Sequence, residues 1–380
     1  MKYKIILAGL LLALLLAPGC GTKVAPTPAF DQATIAVFDS FMAEIRSYAS
    51  AEGSVLAVWA PGKGEYVKAA GTDEVTTGSA IDPSKLFRIA SITKTFSCTV
   101  ALQMVDEGLI NLDDKVSTYI TGVPSGDSIT LRMLFNHTSG LPNHTGNPAF
   151  WTDFIANRLR QFTPQELLNY AWALPMQSAP GAGYHYSNDN TILLGLIVEK
   201  VNREGETMAQ AVKRRVIDKI GLQNTYFPTT ENFPGPYIHG YQLHTTPGTI
   251  DDWSIQNPSW IWAAGAVISN IYDLKTYIKA ISTNSAGLLS PALQTKRLND
   301  DWVSTGGTTL PTAKYGLGWA QLGGFFYHDG ACYGYHSIVA YDPSTDTTVV
   351  AMINIHPSDL STCTAILIKV IQTLFPGRAI

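Results

Sequence analysis

Strand-forming sequence stands near both ends of this 380-residue chain, with helical sequence between, and that order constrains the fold more than any other feature. "SVLAVWAPGKGEYVKAAGT" (54–72) holds two β-prone runs around Pro61-Gly62-Lys63-Gly64, the signature of a hairpin. Towards the other end, "YGLGWAQLG", "GFFYHDG", "YHSIVAYD" and "TTVVAMINI" are short β-rich runs joined by Gly or by turns such as Asp342-Pro343-Ser344. The signals between are helical. Residues 91–107 read as a helix with Gly108 just past its end. Thr163-Pro164-Gln165-Glu166 opens another, with Thr as N-cap, Pro in the first turn and Glu three residues on. "TILLGLIVEKVNR" (191–203) is nearly all apolar, hence a buried helix, and "TAILIKVIQTLF" (364–375) adds a C-terminal one. The expected fold is α/β (α+β): an antiparallel sheet from both chain ends, flanked by helices, with a largely helical inserted subdomain. No internal repeat and no linker cuts the chain into independent parts.

Hydrophobic residues make up 46% and charged residues 15%, with 32 Gly and 21 Pro, which describes a loop-rich globular body and not a disordered or coiled-coil chain. The start reads differently. Lys2 and Lys4 precede an unbroken apolar run, Ile5 to Ala17, that ends in Ala17-Pro18-Gly19-Cys20. A basic end, a short apolar core and small residues before a cut mark a secretory signal, and the run is too short to span a bilayer comfortably. Residues 1–20 are therefore expected to be a leader with a lipoprotein-type box, Cys20 being lipidated after cleavage; Ala17 stands where such boxes more often have leucine, and plain secretion is the alternative. Residues 21–34 read as a Pro/Thr tether and 35–380 as the folded domain. The expected location is the cell envelope or the outside of the cell. A net charge of −4, more negative once the two leader lysines are gone, speaks against nucleic acid as a partner. Membrane contact is expected only through a lipid on Cys20. Cys98, Cys332 and Cys363 remain, which an oxidising compartment permits to form one disulfide, Cys332–Cys363 being one option. No Cys/His spacing suggests a metal site, and neither metal nor cofactor is expected.

"RIASITKTFSC" (88–98) sets a lysine three residues after a serine in otherwise apolar and small surroundings. Positions three apart share a helix face, so Ser91 and Lys94 look the same way. A serine hydroxyl is a poor nucleophile until a neighbour takes its proton, and a lysine does this when burial lowers its pKa. Alone, S-x-x-K is a weak signal, for which a helix start with a snorkelling lysine is the better account. Two further stretches add to it. "PGAGYHYSNDN" (180–190) contains Tyr186-Ser187-Asn188 just before the buried helix, and "YHDGACYG" (327–334) places His328-Asp329-Gly330 in β-rich sequence.

This order, S-x-x-K, Y-x-N, then a basic residue with Gly two places on, resembles the penicillin-recognising serine hydrolases. The chain is similar to their class C β-lactamase branch, with its DD-carboxypeptidases, D-aminopeptidases and esterases, through "LFRIASITKTF", "LQMVDEGLINLDDKV", "LRMLFNHTSGLP", "APGAGYHYSN", "IGLQNTYF" and "WAAGAVISNIYDL", in order and over roughly residues 35–375. The resemblance implies an exported serine hydrolase that forms an acyl-enzyme on Ser91, acting on an ester, amide or D-amino-acid peptide bond of a small molecule or short peptide. Lys94 and Tyr186 would share proton handling, with the base left open between them. Asn188 would hold the acyl amide, and the N–H groups of Ser91 and Ala331, just past Gly330, the oxyanion. His328 would stand where many relatives have lysine, adding a donor or partial positive charge. A DD-carboxypeptidase or β-lactamase proper is the alternative; a slowly turning-over penicillin-binding lipoprotein, acting as sensor or scaffold, is an alternative of another class. Asp329 departs from the family, whose second position is usually small or hydroxylic, and residues 315–327 offer no Lys or Arg for a substrate carboxylate. An anion there weakens the carboxypeptidase and β-lactamase readings. The rival features carry less. There is no G-x-S-x-G elbow, Glu166 is explained by helix capping, His137 and His144 are expected to hydrogen-bond a loop, and Trp253, Trp260 and Trp262 to line a cleft or pack in the core.

Overall fold

The computed structural model describes residues 28–203, 205–243, 249–305, 310–356 and 359–380; the leader and Cys20 lie outside them. Helix α1, Gln32–Ala49, is capped by Asp31, whose carboxylate accepts from Thr34 N at 2.8 Å. The hairpin read in the sequence follows as β1, Gly53–Ala60, and β2, Gly64–Glu74, with β3 a two-residue edge at Ser79–Ala80. The remaining strands of the main sheet all come late: β4 Val303–Ser304, β5 Lys314–Tyr315, β6 Ala320–Leu322, β7 Phe325–Cys332, β8 Tyr335–Asp342 and β9 Thr347–Ile353. The sheet order is β3-β2-β1-β9-β8-β7-β6-β5-β4, antiparallel throughout. Ser54 pairs with Ile353 and Trp59 with Thr348, so the two chain ends meet in the middle of the sheet, as the placement of β-rich runs requires.

Because successive side chains of a strand point to opposite faces, β1 feeds two cores. Val55, Ala57 and Trp59 join the larger one and Leu56, Val58 and Ala60 the smaller. The smaller core is closed by α1, through Phe38, Met42 and Ile45, and by the C-terminal helix Thr362–Leu374, through Ile366, Leu367 and Val370. The larger belongs to the inserted helical region. Its central rod is α2, Thr93–Asp106, whose first twelve residues are all buried. Against it pack α3, Asn188–Val201, as apolar as its sequence demands, and Ile271–Thr283, which also lies on the sheet. The expected helix at Pro164–Trp172 carries a complete capping box, with Glu166 bonded back to Thr163 N at 2.7 Å.

Two expectations change. Phe30 is buried and Ala29 bridges to Glu65, so part of the segment read as tether is packed on the body. Cys332 and Cys363 are free: Cys332 points into the larger core and Cys363 into the smaller, so the sheet separates them.

Candidate active site

The turn entering α2 places the nucleophile candidate. Ala90–Ile92 form a 3-10 turn before the α-helix starts at Thr93, and Ala90 is held in the left-handed region, φ 45°, fully buried. A non-glycine residue there is strained and persists only when its surroundings enforce it. The turn lifts Ser91 to the wall of a cavity of about 360 Å3.

Lys94, one turn on, has no solvent exposure. Its Nζ lies 2.9 Å from Ser91 Oγ, 2.7 Å from Asn188 Oδ1 and 2.9 Å from the carbonyl of Ala264. Burial lowers its pKa to about 7. The three partners differ in kind: the amide and carbonyl oxygens can only accept, whereas a hydroxyl accepts or donates. A neutral amine spends its two N–H bonds on Asn188 and Ala264, and its lone pair is left for the Ser91 hydroxyl.

Asn188, the first residue of α3, is oriented from both ends. Its Oδ1 takes the lysine bond, and its Nδ2 donates to Asn143 Oδ1 at 3.2 Å and Thr145 Oγ1 at 3.3 Å. The residue between those two, His144, is clamped to the neighbour of Asn188: its backbone N–H donates to Asp189 Oδ2 at 2.7 Å, its Nδ1 lies 3.0 Å from the same oxygen, and its Nε2 3.1 Å from Trp260 O. His144 thus holds a loop, as expected, and so does His137, whose Nδ1 faces Ser187 N and Asn190 Nδ2. Among the described residues no group of His, Cys, Asp and Glu could hold a metal ion.

Tyr186 stands over Lys94, whose Nζ is 4.9 Å from its ring centroid. Burial pushes its phenol well above the usual value, only partly opposed by a hydrogen bond with Ser91, so Tyr186 is a neutral donor here and not a phenolate. On the opposite wall runs β7. A Cβ on Gly330 would sit 2.1 Å from Ile89 O and 2.9 Å from Ser91 N, so only glycine lets the strand lie against the Ser91 turn. Ala331, the next residue, lines the cavity beside Ser91.

His328 departs from the expected partial positive charge. Burial lowers its pKa to about 4, its Nδ1 lies 2.5 Å from Asp329 O, and its Nε2 accepts from Tyr315 at 2.9 Å. It is a neutral, fixed ring. Asp329 lines the cavity with its side chain 37% exposed. Burial would raise its pKa, but His336, on the buried side, and His328 outweigh that and hold it below the usual carboxylate value. Of the three tryptophans, Trp260 lines the cavity, with Trp151 and Tyr333 beside it, while Trp253 packs at a tilt against Tyr333 and Trp262 packs on α3. Asn143, Thr145 and Tyr315 do not stand out in the sequence as site residues, because only tertiary contact gives them a role.

The family described as Beta-lactamase is matched over residues 37–369. Among solved structures, the D-stereospecific amidohydrolase from Streptomyces sp. is similar, with 30% identity, a TM-score of 0.77, and coverage of 92% of this chain and 100% of that one. The D-amino acid amidase from Ochrobactrum anthropi SV3, complexed with L-phenylalanine amide, shares the fold at 22% identity and a TM-score of 0.74, over 90% of this chain and 97% of that one. Protein flp of Staphylococcus aureus (strain N315) is 23% identical over 311 residues, covering 80% of this chain and 60% of its own length. The chain spans about three fifths of the length of the first curated relatives it matches.

Proposed function

This chain belongs to the beta-lactamase family, and from that premise we propose that it is a serine hydrolase that works through an acyl-enzyme on Ser91. The observation that carries the reading is the lysine with one unspent lone-pair direction 2.9 Å from the serine hydroxyl. In the first half-reaction Ser91 Oγ bonds to the substrate's acyl carbon, and its proton passes to Lys94 Nζ. The oxyanion is received by the N–H groups of Ser91 and Ala331. Collapse breaks the bond to the leaving group, which takes a proton from the Tyr186 hydroxyl, itself replenished from Lys94. Water then reverses these steps to release the acid. Asn188 holds the acyl side, where Asn143, Thr145 and Trp151 also lie. The leaving-group side is the other flank, with Tyr184, Tyr186, Tyr315, His328 and Asp329.

The substrate is an ester, amide or D-amino-acid peptide bond. Support for the amide end of that range comes from the solved relatives, one described as a D-stereospecific amidohydrolase and another as a D-amino acid amidase. We also propose that the chain is exported by its leader and anchored by a lipid on Cys20, which rests on the sequence of residues 1–20.

The test is intact mass spectrometry and product analysis after incubation with esters, D-amino-acid amides and penicillin. The expected result is an adduct on Ser91 with steady product from one of the first two classes, both abolished in Ser91→Ala. A folded Ser91→Ala variant that turns over like the wild type removes the assignment. A stoichiometric penicillin adduct with no turnover of any substrate replaces the hydrolase reading by the sensor one.

A further inference from the structure

The proposed mechanism leaves the cavity's carboxylate without work. Asp329 sits on β7 two residues before Ala331, on the flank assigned to the leaving group. Strand alternation turns its side chain away from the Ser91 turn, to the face shared by Tyr327 and Ala331, where it stays 37% exposed. Two imidazoles approach the carboxylate and neither closes a hydrogen bond: His328 Nδ1 is 4.0 Å from Oδ1, and His336 Nε2, fully buried on the neighbouring strand β8, is 3.9 Å from Oδ2.

The cation nearest the carboxylate is His336: burial lowers its pKa, but Cys363 and Asp329 outweigh that and raise it to about 10, and the ring does not line the cavity. Among the described residues that line it, no Lys or Arg appears. Burial lowers His328 to about 4, and burial together with the nearby His336 does the same to His356, so both are neutral near pH 7. Lys94 lies behind Ser91, and its Nζ is already bonded to Ser91, Asn188 and Ala264. Tyr184 and Tyr327, beside Asp329, are pushed well above their usual pKa, first by burial and then by that carboxylate, so they stay neutral and present rings to whatever binds. A part-exposed carboxylate that can only accept, flanked by aromatic rings in a cavity whose lining carries no Lys or Arg, meets a bound cation directly, while the His336 imidazolium lies on its buried side and does not line the cavity.

We infer that the leaving-group side of this cavity is a cation subsite built on Asp329, and that the preferred leaving groups carry an ammonium group and not a carboxylate. This rests on the acyl-enzyme reading for its orientation, and it gives that reading a substrate class: esters or amides of amino alcohols and diamines, rather than peptides ending in a free carboxylate. His336 lies beside the carboxylate on its buried side and does not line the cavity.

Three thioesters of one acyl group test it: those of thiocholine, of 3,3-dimethylbutanethiol, which is its uncharged isostere, and of 3-mercaptopropionate, each followed by thiol release. The expected order of kcat/KM is ammonium, neutral, carboxylate, with about tenfold or more between the first two. Asp329→Asn narrows that ratio to within about threefold, and so does raising the salt concentration in the wild type, a control that needs no variant. Equal rates for the charged and neutral thioesters, a preference for the carboxylate, or a ratio indifferent to both Asp329→Asn and salt overturns the subsite. Calorimetric binding of choline against 3,3-dimethylbutanol separates this failure from failure of the serine reading. If no thioester is turned over but choline binds the wild type about tenfold more tightly, with the advantage lost in Asp329→Asn, the cation subsite stands and the mechanism falls. Equal binding of the two alcohols removes the subsite.

Discussion

Lys94 is where a single side chain does most to set the behaviour of this protein. It has no exposure, and desolvation brings its pKa from 10.5 to about 7. Two consequences follow, with opposite trends in what a mutation does. If the neutral amine is the proton acceptor, kcat/KM falls as the pH drops through about 7, and Lys94→Met loses activity on the order of a hundredfold or more at every pH, which a pH-rate profile on any accepted ester reads out. The stability effect runs the other way. The folded pKa lies below the unfolded one, so between about 7 and 10.5 the unfolded chain binds more protons. The burden of burying this lysine is therefore full below about pH 7 and fades as the pH climbs to 10.5. Lys94→Met is expected to raise Tm at pH 6–7 and to show little gain near pH 10.5. A gain that grows with pH instead means that the site favours the ammonium form.

Among the elements, the contact between β7 and the Ser91 turn governs the site. At Gly330 the neighbours of an added Cβ would be backbone atoms, Ile89 O at 2.1 Å and Ser91 N at 2.9 Å, with no flexible side chain to give way. Gly330→Ala is expected to push the strand off the turn and to lower kcat/KM by about a hundredfold or more, since an ångström of misplacement suffices for that. Gly183→Ala, whose Cβ would meet nothing within 4 Å, serves as the control and stays near wild type. The elements themselves were legible because their signals are local: the Pro61–Gly64 turn, the capping box at Thr163 and Glu166, the apolar run of α3, and the three-residue step from Ser91 to Lys94. What stayed hidden depends on tertiary surroundings. Nothing near His328 in sequence announces that burial makes it neutral, and the spacing of Cys332 and Cys363 does not say that they lie on opposite faces of one sheet. Asn143 and Thr145 orient Asn188 from 45 and 43 positions away, a contact that no sequence window contains.

At the scale of the whole molecule, the described residues form one body with two cores, and no helix among them is long and apolar enough to cross a membrane. The membrane attachment proposed is a lipid on Cys20. The wild type is expected to partition into detergent and Cys20→Ser into the aqueous phase; equal partitioning of the two leaves simple secretion as the better account. The sheet carries a further consequence, which concerns time. Ser54 has its partner in Ile353, so the first long strand to emerge has only its own hairpin mate until β9 has been made. Contacts this distant in sequence form late and slowly. The centre of the sheet cannot close before β7, β8 and β9 have been made, which leaves β1 without its second neighbour until then. The same pairing that holds the finished sheet together also delays its completion until β9 has been made.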